Sequence, residues 1–174
     1  TVTSLSFTKY DSEEYNALLL AEYNEKLNNI PEEIVYTKQC YEYIKAAITA
    51  YNNLGSVYCS LSEYAKSLEC HWKALNIQEK VLGNEHPKVA LSYNNIGRVY
   101  YIMGNYSNTV DCYNKALRIW EKVYGENHSD LGAIYINLGQ LYGTLGDYTK
   151  ALDYNLKAKK ILENVFGLEH PYVA

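Results

Sequence analysis

The chain has no apolar run approaching the ~20 residues of a membrane span, no charged-then-apolar leader at its start, and no stripe or cluster of lysine and arginine. Its net charge is -4, with both signs interspersed. A polyanion backbone needs a concentration of positive charge that is missing here, so nucleic acid is not the expected partner. The four cysteines are Cys40, Cys59, Cys70 and Cys112, and no two are separated by the two-residue gap of a zinc or redox motif. They read as small apolar packing residues in a reducing compartment, which implies a cytoplasmic, intracellular setting. The triplets Asn105-Tyr106-Ser107 and Asn127-His128-Ser129 fit the glycosylation pattern, but such triplets are common by chance and carry no weight in that setting. No Ser-His-Asp arrangement, phosphate loop or carboxylate pair stands out.

What the chain does have is a message given three times. Gly55, Gly97 and Gly139 stand 42 residues apart, as do Tyr58, Tyr100 and Tyr142, then Tyr64, Tyr106 and Tyr148, and then Gly83, Gly125 and Gly167. A period of this length marks a supersecondary unit that cannot bury its apolar face alone and must stack on its neighbours. Apolar residues make up 48% of the 174, enough for a packed core and too many for a disordered chain. His86, His128 and His170 keep the same step and fall in connections, so they read as turn architecture. Metal binding and catalysis are therefore not expected, and no cofactor is implied.

Each repeat holds two stretches of helical spacing. Tyr51, Leu54, Tyr58 and Leu61 recur at three- and four-residue steps and fall on one helix face. Tyr93, Ile96, Tyr100 and Met103 do the same, then Tyr135, Leu138, Tyr142 and Leu145. Gly104 and Gly146 follow, where a positive φ can end a helix; Ser62 holds that place in the first repeat. A second helix runs from about Tyr64 to Leu82, with Tyr64, Leu68, Ala74, Leu75, Ile77, Val81 and Leu82 inward, and Gly83 closes it. Pro87 suits the first turn of the next helix. Ser129, in the same slot, is expected to cap with its hydroxyl. Gly55, Gly97 and Gly139 lie mid-helix, where glycine costs about 1 kcal/mol relative to alanine. A close crossing by the second helix explains them, with Ala74, Ala116 and Ala158 as the expected small residues opposite. Trp72 and Trp120 are expected to be partly buried on the outer face.

The frame fades before Tyr51: position 13, which should match Gly55, is Glu13. Asp11 to about Leu27 still reads as a helix, and Pro31-Glu32-Glu33 starts another that runs into, or breaks before, the one carrying Tyr51. Residues 1–44 are thus expected to hold a degenerate N-terminal hairpin, over 11–44, capping the stack. At the other end, Pro171-Tyr172-Val173-Ala174 resembles Pro87-Lys88-Val89-Ala90. The chain therefore reads as a fragment cut just inside a further repeat, residues 172–174.

The order Tyr51-x-x-Leu54-Gly55-x-x-Tyr58, then Tyr64, then Ala74-Leu75 resembles the tetratricopeptide repeat. The longer second helix and the run Glu79-Lys80-Val81-Leu82-Gly83-Asn84-Glu85-His86-Pro87 are similar to the 42-residue variety found in kinesin light chains. The resemblance covers about 46–174 and places the repeats at 45–87, 88–129 and 130–171. Ser67 and Thr109 depart from the small residue usual after the second tyrosine, which Ala151 supplies. The implied fold is all-α: a right-handed solenoid of stacked antiparallel helix pairs whose first helices line a concave groove.

The polar residues on those helices are the candidates for function. Asn53, Asn95 and Asn137 recur at the 42-residue step. Asparagine is a poor helix former, and its amide offers both a donor and an acceptor. Two readings stand: the row grips the backbone of an extended peptide, as similar rows do in related arrays, or it satisfies buried groups between repeats. Around the row lie Asn52, Asn94 and Ile136; Ser56, Arg98 and Gln140; and Cys59, Tyr101 and Gly143. These differ between repeats, as residues choosing among side chains would. Arg98 either meets a ligand carboxylate through paired hydrogen bonds or is a solvated surface cation. The expected function is a protein–protein interaction module that takes an extended partner segment and serves as adaptor or scaffold. The alternatives are a structural segment that self-associates weakly through its exposed terminal repeat, and a regulatory or sensing arm of a larger enzyme.

Overall fold

A computed structural model describes the backbone of residues 38–125 and 128–166 and the side chains of residues 41–125 and 128–165. The expected hairpin over 11–44 and the terminal residues 172–174 lie outside, or almost wholly outside, these limits. The described residues form six α-helices and no strand: α1 (Lys38–Ser60), α2 (Tyr64–Leu82), α3 (Pro87–Ile102), α4 (Tyr106–Tyr124), α5 (Ser129–Thr144) and α6 (Tyr148–Phe166). The chain divides into two compact units, Thr1–Gln78 and Glu79–Ala174. Helix α1 is unbroken across residues 44 and 45, the junction expected between hairpin and first repeat.

In the first unit, Ala50, Tyr51 and Leu54 of α1 bury themselves against Cys70 and Ala74 of α2, with Ile48, Tyr58 and Ile77 packed at the margin. Ser67 has a structural role in place of the usual alanine: buried between the helices, its hydroxyl donates to the Gly55 carbonyl at 2.7 Å. Thr109 makes the matching departure in the second repeat and donates to the Asn105 carbonyl at 2.9 Å, within its own first turn.

In the second unit, α3 packs against α4, α4 against α5, and α5 against α6. Val89, Ile96 and Val99 of α3 and Ile134, Leu138 and Leu141 of α5 are fully enclosed. Burying each side chain of this size contributes about 1.5–3 kcal/mol. Trp120 belongs to this core and is buried, not half exposed on the outer face as expected. Trp72 is half buried.

Leu61, Met103 and Leu145 do not extend the apolar face of the first helices. All three are exposed, because the helices end one residue earlier, at Ser60, Ile102 and Thr144. The turn that follows is the expected one, with φ of 62° at Ser62, 73° at Gly104 and 79° at Gly146.

Helix starts differ from expectation. His86 and His128 are the N-caps of α3 and α5, and each ring Nδ1 accepts the backbone N–H two residues on, Lys88 at 3.1 Å and Asp130 at 3.2 Å. The Ser129 hydroxyl is not the cap; Ser129 is the first residue of α5. The recurring histidine thus uses its ring to satisfy an N–H that has no partner within the helix.

The mid-helix glycines do mark close crossings, but not against the expected alanines. A Cβ on Gly55 would sit 2.8 Å from the His71 ring, and one on Gly97 would sit 2.6 Å from the Tyr113 ring. A Cβ on Gly139 would collide with the Asn155 side chain. Position 71/113/155, three residues before Ala74, Ala116 and Ala158, is the one that needs the room.

Candidate functional site

Helices α3 and α5 lie side by side in the second unit. Their buried residues turn towards α4 and α6, which leaves a stripe on each outer face: Leu91, Asn95, Arg98 and Ile102 on α3, and Ala133, Asn137, Gln140 and Thr144 on α5. Both follow the three- and four-residue steps of one helix face. Two side-chain hydrogen bonds join α3 to the α5 stripe, from residues beside the α3 stripe. Asn137 Nδ2 donates to Asn94 Oδ1 at 2.8 Å, and Tyr101 Oη lies 2.8 Å from Thr144 Oγ1. Thr144 also donates back to the Gln140 carbonyl, so in the Tyr101 pair the phenol is the donor.

The predicted amides therefore divide. Asn137 and Asn94 spend one N–H and one carbonyl oxygen on each other. Between them they keep the Asn137 oxygen and the Asn94 amino group, one acceptor and one donor side. Asn95 is half buried and makes no side-chain hydrogen bond among the described residues. Arg98 and Gln140 are exposed, and Arg98 makes no ion pair among the described residues. Its charge is felt inward: burial pushes the Tyr113 phenol up to about 12, against the opposing pull of the Arg98 cation.

In the first unit α1 presents Thr49, Asn53, Ser56 and Ser60, all exposed. The hydroxyls of Thr49, Ser56 and Ser60 donate to the carbonyls four residues back, leaving their lone pairs outward. Asn52 Oδ1 lies 3.2 Å from His71 Nδ1, so Asn52 orients a buried ring. Sequence reasoning missed Thr144 and His71. The 43-residue offset of Tyr101 from Thr144 is one residue off the repeat and carries no periodic signal.

Among the described residues, no three or more His, Cys, Asp and Glu side chains converge to hold a metal. No helix there is long and apolar enough to cross a membrane. Cys70 and Cys112 are buried free thiols, and burial raises both, Cys112 to about 11.

Repeated antiparallel helix pairs with glycine crossings define an all-α solenoid of helical repeats. The family profile of the tetratricopeptide repeat matches residues 46–108 and 97–164, well over half of the sequence. The chain belongs to the tetratricopeptide repeat family. Solved structures share its fold. BtubC (BKLC) from P. vanneervenii is 19% identical with a TM-score of 0.64, over 88% of this chain and 73% of that one. A Podosopora anserina protein of kinesin light chain type, with nearly identical TPR-like repeats, is 19% identical with a TM-score of 0.65, over 92% and 72%. MamA is 16% identical with a TM-score of 0.53, over 92% and 97%. No curated protein matches the sequence. Tetratricopeptide repeats generally mediate protein–protein interaction and scaffolding, and the fold is typically non-enzymatic.

Proposed function

We propose that the chain is an adaptor or scaffold module that holds an extended segment of a partner protein on the outer face of its first helices. The observation that carries this reading is the state of the amides on α3 and α5. Asn95 is without a partner among the described residues, beside an Asn94–Asn137 pair that keeps one donor side and one acceptor. An extended peptide offers the same alternation of N–H and C=O along its backbone. Rigid helices hold these groups in place before the ligand arrives, so little of the binding energy is lost to ordering the receptor. Arg98, Tyr101 and Gln140, beside the exposed apolar Leu91, Ile102 and Ile136, supply the contacts that select side chains. In the first unit, Asn53 and Ser56 offer similar groups, with Asn52 held by His71.

The test is selection of binders from a displayed random-peptide library on the intact chain, followed by Asn95→Ala and Asn137→Ala. Each substitution should weaken the selected peptide at least about tenfold, one lost backbone pair of about 1.4 kcal/mol, with helicity unchanged by circular dichroism. Selected peptides that bind both variants as tightly as the parent chain would rule out the amide row.

A further inference from the structure

We propose that the partner segment taken by the first helices is uncharged: a stretch of amide, hydroxyl and apolar side chains with no lysine or arginine, and at most the one carboxylate that Arg98 can meet. The inference rests on the peptide-binding reading and names the chemistry of its ligand. It starts from where the chain keeps its charges. Over residues 49–60, 91–102 and 133–144, which end the three first helices, Arg98 is the one charged residue. The chain is 21% charged, so the scarcity is local. Helix α4 alone carries five charged residues and α6 carries six. There the charges are laced into pairs, Lys115 with Asp111 at 2.8 Å and Lys157 with Asp153 at 2.7 Å.

Burial does not explain the absence. Asn53, Ser56 and Ser60 of α1, and Ala133, Gln140 and Thr144 of α5, are all exposed. Water accepts lysine or glutamate at such positions, and both are better helix formers than serine, threonine or asparagine. The face gives up that propensity, so contact with water alone does not set its composition. A surface that a partner covers has a reason to be neutral. Each charge on it loses hydration on binding and must find an opposite charge in the partner. A face without charges therefore fits an occupant without charges. The donor and acceptor balance agrees. The hydroxyls of Ser56, Ser60 and Thr144 donate to carbonyls of their own helices. What they keep is acceptor capacity, which suits the N–H groups of a peptide and of side-chain amides and does not suit carboxylates. Arg98 repels a cationic segment and can pair with a single carboxylate.

Peptides selected on the intact chain from a displayed random library are the probe. Those weakened by Asn95→Ala or Asn137→Ala sit on this face. Among them lysine, arginine, aspartate and glutamate should be depleted relative to the library. Their affinity should change less than about threefold between about 50 and about 500 mM salt. Gln140→Lys and Gln140→Glu then give a test of sign. Gln140 is exposed, and the three residue types have similar helix propensity, so the fold is kept. Both substitutions should weaken binding, each at least about fivefold, because either charge is stripped of water opposite a neutral ligand. Selected peptides rich in one charge, a steep loss of affinity with salt, or opposite effects of the two substitutions would overturn the inference and leave the peptide-binding reading standing. If no selected peptide responds to Asn95→Ala or Asn137→Ala, that reading fails and this inference fails with it.

Discussion

Replacing Gly97 and Gly139 by alanine, one at a time, should change stability in opposite directions. Both substitutions remove glycine from a helix interior, which by itself gains about 1 kcal/mol. At Gly97 the new methyl would sit 2.6 Å from Cδ1 and Cε1 of Tyr113 and 3.2 Å from Cys112 Cβ. Ordinary carbon–carbon contact is ~3.5–4.0 Å, so the ring must retreat by about 1 Å. Tyr113 is buried in the second unit, so the retreat pushes into packed neighbours. Overpacking of this kind costs about 1–3 kcal/mol, and the gap here places it at the upper end. The net effect is a loss of about 2 kcal/mol, or roughly 4–8 °C in Tm for a chain of this size. At Gly139 the methyl meets only Asn155, which is exposed and free to rotate into solvent. Most of the propensity gain survives there, so Tm should rise by about 2 °C. Thermal and urea melts followed by circular dichroism, with an unchanged m value, measure both. Two shifts of the same sign would refute the argument that the residue opposite, rather than the helix itself, sets the need for glycine.

Other outcomes follow from the same structure. Ser62→Gly should stabilise the chain by about 0.5 kcal/mol in a urea melt, because a non-glycine residue at φ 62° bears a strain that Gly104 and Gly146 avoid. Stability should fall at alkaline pH. Tyr93 and Tyr113 are pushed up to about 12, and Cys112 to about 11, chiefly by burial. The folded state therefore keeps protons that the unfolded chain releases, so stability is fully present below pH 9. It should decline first through pH 9–11 as the thiol's contribution is lost, then through pH 10–12 with the phenols, as urea midpoints at stepped pH would show. A tyrosinate absorbance titration of the folded chain should show a late phase to which Tyr93 and Tyr113 contribute; a single titration near pH 10 would contradict the burial. Cys112 should resist a thiol reagent at pH 8 while the half-buried Cys59 reacts.

The helix pairs were legible because a 42-residue period superposed on helical spacing leaves few alternatives, and the turn at Ser62 was legible because glycine fills the slot twice. The physical cause of the mid-helix glycines was legible only in part. Periodicity announced a close crossing, but the residue opposite changes from His71 to Tyr113 to Asn155, and a slot that varies gives no periodic signal. The His86 and His128 caps were read correctly as architecture. Their chemistry stayed hidden because imidazole is an uncommon cap, and Ser129 looked like the better acceptor. At the candidate site, periodicity put the asparagines on the first helices but said nothing of their wiring. The Asn94–Asn137 and Tyr101–Thr144 bonds join unlike positions one residue out of step, so only coordinates could pair them. Trp120 was placed too far out because its repeat partners, Gln78 and Leu162, differ from it in size and polarity.

The two bonds between α3 and α5 have a mechanical consequence. They are single, partly solvated contacts of about 1 kcal/mol each, only about twice thermal energy, whereas the reverse side of these helices is clamped by Ile96, Val99, Leu138 and Leu141 in a dry interior. The outer edge of this unit can therefore gape while its spine stays shut. That edge is the softer side of the helix pair, the place where strain applied to this unit would part it first.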